Sequence, residues 1–334
     1  MGAGHQGKPE DICSRFHTGI LHSKRYIGTI AREECYADRN SYSPAYTCNL
    51  ECDHCFLYCG PRAKGTFTLN QLRQALDEIA RMGTIESVCF EGGEPFLFYP
   101  LMLEGITIPR AKGLEAGAVT NAYWATSVED ANLWLKPLYP LDISGLSLSD
   151  DLFHYEEEHN PAKLALTAAK GLGMPVGTIS VEEPTPKTSL AKEQDKGTSV
   201  IGGGVMFRGR AVEKLTEGLP TRQWQELTQC PYEDLEDPKR VHIDSYGNVH
   251  LCQGLTMGNM WQTPLPLLVE NYDAFSHPIC GPLARGGPAL LAQEYDVQHE
   301  DQYVDECHLC YLARLALIDR FPQYLTPRQV YGLT

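Results

Sequence analysis

The sequence predicts an α/β fold on a parallel sheet, followed by a smaller hairpin-plus-helix region. Three observations carry this. Short apolar or alternating runs recur between amphipathic helical runs from residue 43 to residue 181, and strands that alternate with helices pair in parallel through right-handed crossovers. Tyr246-Gly247-Asn248 separates two apolar runs in the C-terminal third, the mark of a β-hairpin. With 43% hydrophobic residues in 334, the chain can fill about two domains, or one barrel with an appendage.

The elements follow in order. Residues 1–40 read as a strand and helix packed on the sheet; Cys13 and Cys35 there sit in no ligand spacing and read as plain thiols. A strand is expected at 43–47. A helix over 68–82 places Leu69, Leu72, Leu76 and Ile79 at helical period. Strand 86–90 follows, then a helix over 101–108 that ends before Pro109. Strand 116–120, helix 128–136 and strand 143–148 come next. Asn160-Pro161 opens a helix over 162–172, and 176–181 is a strand. Residues 184–199 are polar, a loop or short helix. The active sites of such sheets lie at the C-terminal strand ends.

Composition excludes several classes. A net charge of −15 argues against a nucleic-acid partner, which needs a basic face. No run approaches the ~18 apolar residues of a membrane span, and the polar, Gly-rich start lacks the apolar core of a signal peptide. Twelve cysteines without a secretion signal point to a reducing cytoplasm and to metal ligation rather than a disulfide framework.

The sharpest signal is Cys48-Asn49-Leu50-Glu51-Cys52-Asp53-His54-Cys55. A C-x3-C-x2-C triplet in a chain of this cysteine content has chance odds of about 0.015, against about 0.4 for a lone C-x2-C. Thiolates hold [4Fe–4S] cubanes, and three of them leave one iron open. A partial zinc site or free thiols is the bland alternative. The triplet, with Asn49, Leu50 and the aromatic His54, resembles the radical S-adenosylmethionine (SAM) superfamily. The resemblance implies a partial (β/α)6 barrel with the cysteine loop after its first strand. It implies that the open iron chelates SAM, and that an electron from a low-potential donor such as flavodoxin or ferredoxin cleaves SAM to a hydrogen-abstracting 5′-deoxyadenosyl radical. That chemistry belongs to the cofactor.

Further residues join the resemblance. In Glu91-Gly92-Gly93-Glu94-Pro95, paired glycines permit close backbone approach and a carboxylate can accept from an ammonium group; in the family this motif binds the methionine amino group, with Glu94 the specific candidate. Thr120-Asn121 resembles a Thr-Asn-Gly strand end, with Ala122 in place of glycine. Ser147, Ser149 and Asp150 fall where the family places ribose and carboxylate contacts, although helix caps and turns use the same residue types. Gly177 and Ile179 match part of the adenine-contacting pattern. The run 202–211 resembles a sixth strand with its Gly-Arg-Ala ending, which makes Arg210 a cofactor-binding candidate. It lacks the Lys-Ser/Thr of a phosphate-binding loop.

The C-terminal constellation is Cys230, Cys252 on the hairpin, and Cys307 and Cys310 opening a helix. It resembles a SPASM/twitch extension, shortened because no cysteine follows Cys310. Four ligands suit an auxiliary [4Fe–4S] cluster; structural zinc is the alternative, and Cys280 is a possible substitute ligand. Cys59 and Cys89 read as packing. These signals divide the chain into 1–40, a core at 41–212 and an auxiliary region at 213–334. The expected activity is oxidation of a substrate radical through the auxiliary cluster, as small-molecule dehydrogenation or peptide modification or crosslinking. The rival readings are a non-redox epimerase or isomerase with a thiol donor such as Cys280, and a non-catalytic iron–sulfur or zinc protein. His154, Glu156 and Arg210 are possible substrate contacts, or simply solvated.

Overall fold

The computed structural model describes residues 40–43, 45–186 and 201–333. Its first half is a run of β/α units: β1 (Asn40–Ser43), α1 (Leu69–Met82), β2 (Ser87–Phe90), α2 (Tyr99–Ala111), β3 (Glu115–Thr120), α3 (Val128–Leu135), β4 (Gly145–Ser149), α4 (Pro161–Gly171) and β5 (Val176–Ile179). The five strands lie in sequential order and every neighbouring pair is parallel. This is the α/β architecture of a partial barrel.

Local chemistry explains the elements. Thr68 and Gln71 close a capping box at the start of α1, which buries Leu72, Ala75, Leu76 and Ile79 before Gly83 ends it in the left-handed region. Ser127 caps α3, and Asn160 caps α4 with Pro161 in its first turn. Strand β2 is buried throughout, as expected of a parallel strand covered on both faces.

The second half adds α5 (Arg210–Lys214), β6 (Arg222–Gln223), β7 (His242–Asp244), β8 (Asn248–Cys252), β9 (Leu255–Asn259), α6 (Leu265–Glu270), α7 (Cys280–Glu294), β10 (Gln302–Tyr303) and α8 (Glu306–Leu317). Strands β7, β8 and β9 form the expected antiparallel hairpin and its continuation, and α8 carries Cys307 and Cys310. One apolar core runs from Leu72 and Phe90 through Ile243 and Leu251 to Tyr311. Among the described residues, no helix is long and apolar enough to cross a membrane.

Three expectations are corrected. The first strand ends at Ser43, and by Ala45 and Thr47 the chain makes only isolated bridges to Thr66 and Gly60. Helix α2 runs through Pro109 to Ala111; in the last turn proline removes one ladder bond, and its own carbonyl still accepts from Lys112 and Leu114, both at 3.0 Å. No strand forms over 202–208. Gly203 and Gly204 there adopt φ of 94° and 84°, outside the extended region, and a glycine run has no side chains to pack on a sheet. The sixth parallel strand is instead β7, on the opposite edge beside β1. The segment 1–39, with Cys13 and Cys35, and most of the polar stretch 184–199 lie outside the described residues.

Candidate active site and a second cysteine centre

The cysteine loop leaves the C-terminal end of β1. Backbone bonds from Cys48 to the Gly60 carbonyl (3.1 Å) and from Tyr46 to Gly65 (3.2 Å) close it, and Cys55 turns back on Cys52 (3.1 Å). Cys48 is buried, while Cys52 and Cys55 are half-buried. Two N–H donors already face the Cys48 sulfur, Leu50 N at 3.4 Å and Asn121 Nδ2 at 3.7 Å, and hydrogen bonds to thiolate sulfur are a feature of cluster sites. Burial pushes the Cys48 thiol up to about 12. A hydrogen bond from Cys59 leads the effects that bring Cys55 down to about 6. Cys59, which reads as packing in the sequence, therefore acts on a candidate ligand, and its sulfur also accepts from Gly93 N at 3.2 Å.

The Glu91–Pro95 motif leaves β2 beside this loop. A Cβ on Gly93 would meet the Thr47 carbonyl at 2.4 Å and the Ala45 carbonyl at 2.6 Å, and its φ is +52°. Glycine is thus required here by the chain's own backbone, which corrects the expectation that the space serves a ligand. Glu94 is fully buried. Its carboxylate accepts from Thr120 Oγ1 (2.8 Å), Phe96 N (3.0 Å) and Asn121 N (2.7 Å). A carboxylate has about four lone-pair sites, so one remains for an ammonium donor. Burial, opposed by those bonds, raises its pKa to about 7. Glu91 reaches across the sheet to His242 Nδ1 at 3.4 Å, and Pro95 opens a single 3-10 turn capped by Glu94.

The other candidates are drawn together unevenly. Thr120 also accepts from Trp124 Nε1 at 3.1 Å and so organises the strand end. Asn121 donates to Asn49 Oδ1 at 2.9 Å, joining β3 to the cysteine loop. Ala122 adopts the left-handed φ of 61° that glycine takes without strain. Ser147 is buried within β4 and Ser149 ends it. Asp150 accepts from Asn160, the α4 cap, and Ile179 ends β5. Arg210 turns to the back of the cysteine loop, donating to the carbonyls of Cys52 and Cys59, while its backbone N bonds the Cys55 carbonyl at 3.0 Å. It is a clamp on the loop. Glu156 is exposed.

Beside Cys52 stands a group that the sequence left unassembled: ligand-type atoms of His54, Asp151 and His154 lie within 4.8 Å of one another. Asp151 Oδ1 holds His154 Nδ1 at 2.7 Å. Burial opposes charge on His154, but Asp151 and then Cys52 raise its pKa to about 10. Burial, with His154 adding to it, lowers His54 to about 4. The signal for this group was in the sequence, as Asp151 and His154 follow β4 directly.

Cys230, Cys252, Cys307 and Cys310 line one pocket, together with Arg208 and Arg314. Both guanidinium groups are buried, at 2% and 1% exposure, and the Nε of each has no hydrogen-bond partner. Arg208 Nη1 donates to Cys252 Sγ at 2.7 Å, and Glu233 N donates to Cys230 Sγ at 3.4 Å. Burial is the first cause raising all four environments that resolve a shift, at Cys230, Cys280, Cys307 and Cys310. Thiols alone are poor company for two sealed cations with spare donors, whereas an anionic thiolate-bound group satisfies them. Cys280 begins α7, fully buried in the apolar core, and does not line this cavity. Neither arginine stood out in the sequence as a site residue.

Residues 42–181 match the family model described as the radical SAM superfamily. That stretch is similar to a superfamily whose members are enzymes, and whose chemistry rests on a [4Fe–4S] cluster and SAM. It is 27% identical over 259 residues to "Putative peptide biosynthesis protein YydG" of Bacillus subtilis (strain 168), across 76% of this chain and 72% of that protein. A structure of BtrN in complex with AdoMet and 2-DOIA overlays with a TM-score of 0.46 at 14% identity, over 70% of this chain and 82% of that one. Streptococcus suis SuiB bound to S-adenosylmethionine gives 0.34 at 12%, over 69% and 64%. At these scores the fold rests on the strand order itself rather than on the overlays.

Proposed function

We propose that the chain is a radical SAM enzyme that modifies a peptide by abstracting a hydrogen atom and oxidising the resulting radical. The observation that carries the oxidation is the four-cysteine pocket with its two buried arginines. The description of the Bacillus relative supports a peptide as substrate over a small molecule.

When bound, the two clusters and SAM would supply a 5′-deoxyadenosyl radical and an acceptor for one electron. Cys48, Cys52 and Cys55 hold the first cluster in this reading. Glu94 receives the methionine ammonium on its remaining lone pair. Asn121 braces the loop through Asn49, and Arg210 clamps it from behind. Ser147 within β4, and Ser149, Asp150 and Ile179 at the ends of β4 and β5, would hold the remainder of SAM. Cys230, Cys252, Cys307 and Cys310 hold the auxiliary cluster. A single zinc with ~2.3 Å Zn–S bonds draws its ligands to roughly 3.8 Å apart; among the described residues, the group within 4.8 Å is His54, Asp151 and His154, not these cysteines. The electron that starts the cycle comes from a low-potential donor of the flavodoxin or ferredoxin type.

Loss of one hydrogen atom, one electron and one proton leaves a product two hydrogens lighter. The test is mass spectrometry of a candidate peptide after anaerobic turnover in deuterated water. The expected product is lighter by two hydrogens, with one 5′-deoxyadenosine formed for each. A product of unchanged oxidation state carrying one solvent deuterium would replace oxidation with epimerisation. In that case the donor thiol is not Cys280, which lies sealed in the core beside Tyr272.

A further inference from the structure

The three residues Arg208-Gly209-Arg210 touch both cysteine centres. Arg210 clamps the Cys48–Cys55 loop through the Cys52, Cys55 and Cys59 carbonyls. Two residues earlier, Arg208 donates to Cys252 Sγ at 2.7 Å and to Gln253 Oε1 at 2.9 Å. Its guanidinium also lies 5.9 Å from the Phe56 ring, next to Cys55, and 5.9 Å from the Tyr232 ring. Gly209 makes this possible. Its φ is +59°, and a Cβ there would meet the Cys55 carbonyl at 2.6 Å.

Charge at the second centre narrows the role of Arg208. Two carboxylates line the cavity, but each has its own arginine: Glu233 pairs with Arg240 at 3.2 Å and Glu306 with Arg222 at 2.7 Å. Arg208 also feels Glu233, but Cys252 and Cys307 lead the negative groups that act on it, and its direct contact is with the Cys252 sulfur; on Arg314, Tyr331 acts first and then Cys310, Cys252 and Cys307. A cubane held by four thiolates carries a charge of about −2, and one more negative charge when reduced. Two fixed, buried cations favour the more negative form.

We propose that Arg208 is a positioning residue for the four-cysteine centre, a fixed counter-charge, with Arg314, that raises the potential of its cluster. The segment that carries it also ties that centre to the first cysteine loop. The proposal rests on the auxiliary-cluster reading and is tested apart from it. A variant with Cys48, Cys52 and Cys55 all replaced by alanine isolates the second centre. If that protein reconstitutes with zinc, or with no iron, the cluster reading fails before Arg208 is examined.

If it holds iron, Arg208→Lys, Arg208→Gln and Arg208→Met are compared in the same background by potentiometric titration followed by electron paramagnetic resonance. The lysine variant keeps the charge and should stay near the parent potential. The glutamine and methionine variants should reduce at least tenfold less favourably, a drop of about 59 mV for one electron. Failure of both neutral variants to hold iron, while the lysine variant does hold it, also supports the counter-charge. A neutral variant with iron and an unshifted potential would overturn the proposal. So would loss of iron from the lysine variant, which would make Arg208 a packing residue only.

Discussion

The two cysteine centres are built in opposite ways. Cys48, Cys52 and Cys55 lie within one eight-residue loop at the mouth of the sheet, and two of the three are half-buried. Cys230, Cys252, Cys307 and Cys310 come from a loop, a strand end and a helix start, spread over 81 residues, and they line one pocket, with Cys252 and Cys307 buried and Cys230 and Cys310 half-buried. The first centre is shaped by local spacing and braced from outside, by Asn121 in front and Arg210 behind. The second exists only once the hairpin and α8 have packed, and it carries its own cations. An open rim suits a site where a cofactor and a substrate must enter. A pocket lined by four cysteines and two buried arginines suits a group that exchanges only electrons.

The largest effects should come from emptying each centre in turn. Reconstituted under anaerobic conditions, the protein should hold about eight iron and eight sulfide. Replacing Cys48, Cys52 and Cys55 with alanine should leave about four of each and abolish SAM cleavage. Replacing Cys307 and Cys310 should spare SAM cleavage, stop product formation and lower the thermal midpoint, because in the proposed reading thiolate–metal bonds there would hold a long-range junction. Iron and sulfide analysis, with 5′-deoxyadenosine release, reads both arms. Equal stability losses from the two sets would erase the contrast between a local and a long-range centre.

The next largest effect falls where the two centres meet. Gly209→Ala forces a left-handed backbone onto alanine and drives a methyl against the Cys55 carbonyl. The expected cost is about 2–4 kcal/mol, with iron lost first from the Cys48–Cys55 loop. Urea denaturation and iron content check it; iron lost first from the four-cysteine centre would place the strut on the wrong side.

At the open centre, Glu94→Ala should weaken SAM binding by about 1.5–3 kcal/mol through loss of a charge-assisted bond. It should also loosen the β3 exit, since Thr120, Phe96 and Asn121 all donate to that carboxylate. Glu94→Gln keeps part of the bracing and separates the two effects. Unchanged SAM affinity in both variants removes Glu94 from the cofactor site.

Legibility followed the same divide. Spacing alone exposed the first loop, because its ligands are neighbours in the chain. The β/α alternation was equally plain, since period and caps are local signals. The sixth strand was misplaced because a glycine run at 202–204 fits a family pattern but has no side chains to hold a sheet edge, while the hairpin strand β7 supplies what that edge lacks on the other side. Gly93 looked like a ligand-approach glycine, and Gly209 only like part of a strand ending. The atoms they make room for belong to the chain's own backbone, which only the tertiary fold reveals. Arg208 and Arg314 were invisible for a similar reason. A lone charged residue reads as solvated until the structure shows what it faces.

The smallest effect concerns the scaffold around the four-cysteine centre. His277 sits where β9 meets α7. Its Nε2 lies 2.9 Å from the Thr256 carbonyl, and its Nδ1 accepts from Ile279 N at 3.2 Å and Cys280 N at 3.0 Å. Only a neutral imidazole with its proton on Nε2 meets all three partners. Burial lowers its pKa below the ordinary value, partly offset by the Thr256 carbonyl. The folded state therefore binds this proton less readily than the unfolded chain, whose histidine titrates near ~6.5. The stabilisation is complete above that pH and declines as pH falls toward the folded value. Hydrogen exchange at the start of α7 should quicken between pH 7.5 and pH 5.5. His277→Asn retains an acceptor for the helix start but does not titrate, so its exchange there should change less over the same interval. Equal acceleration in both proteins would assign the acid sensitivity to other groups and leave the four-cysteine scaffold without a pH-sensitive cap.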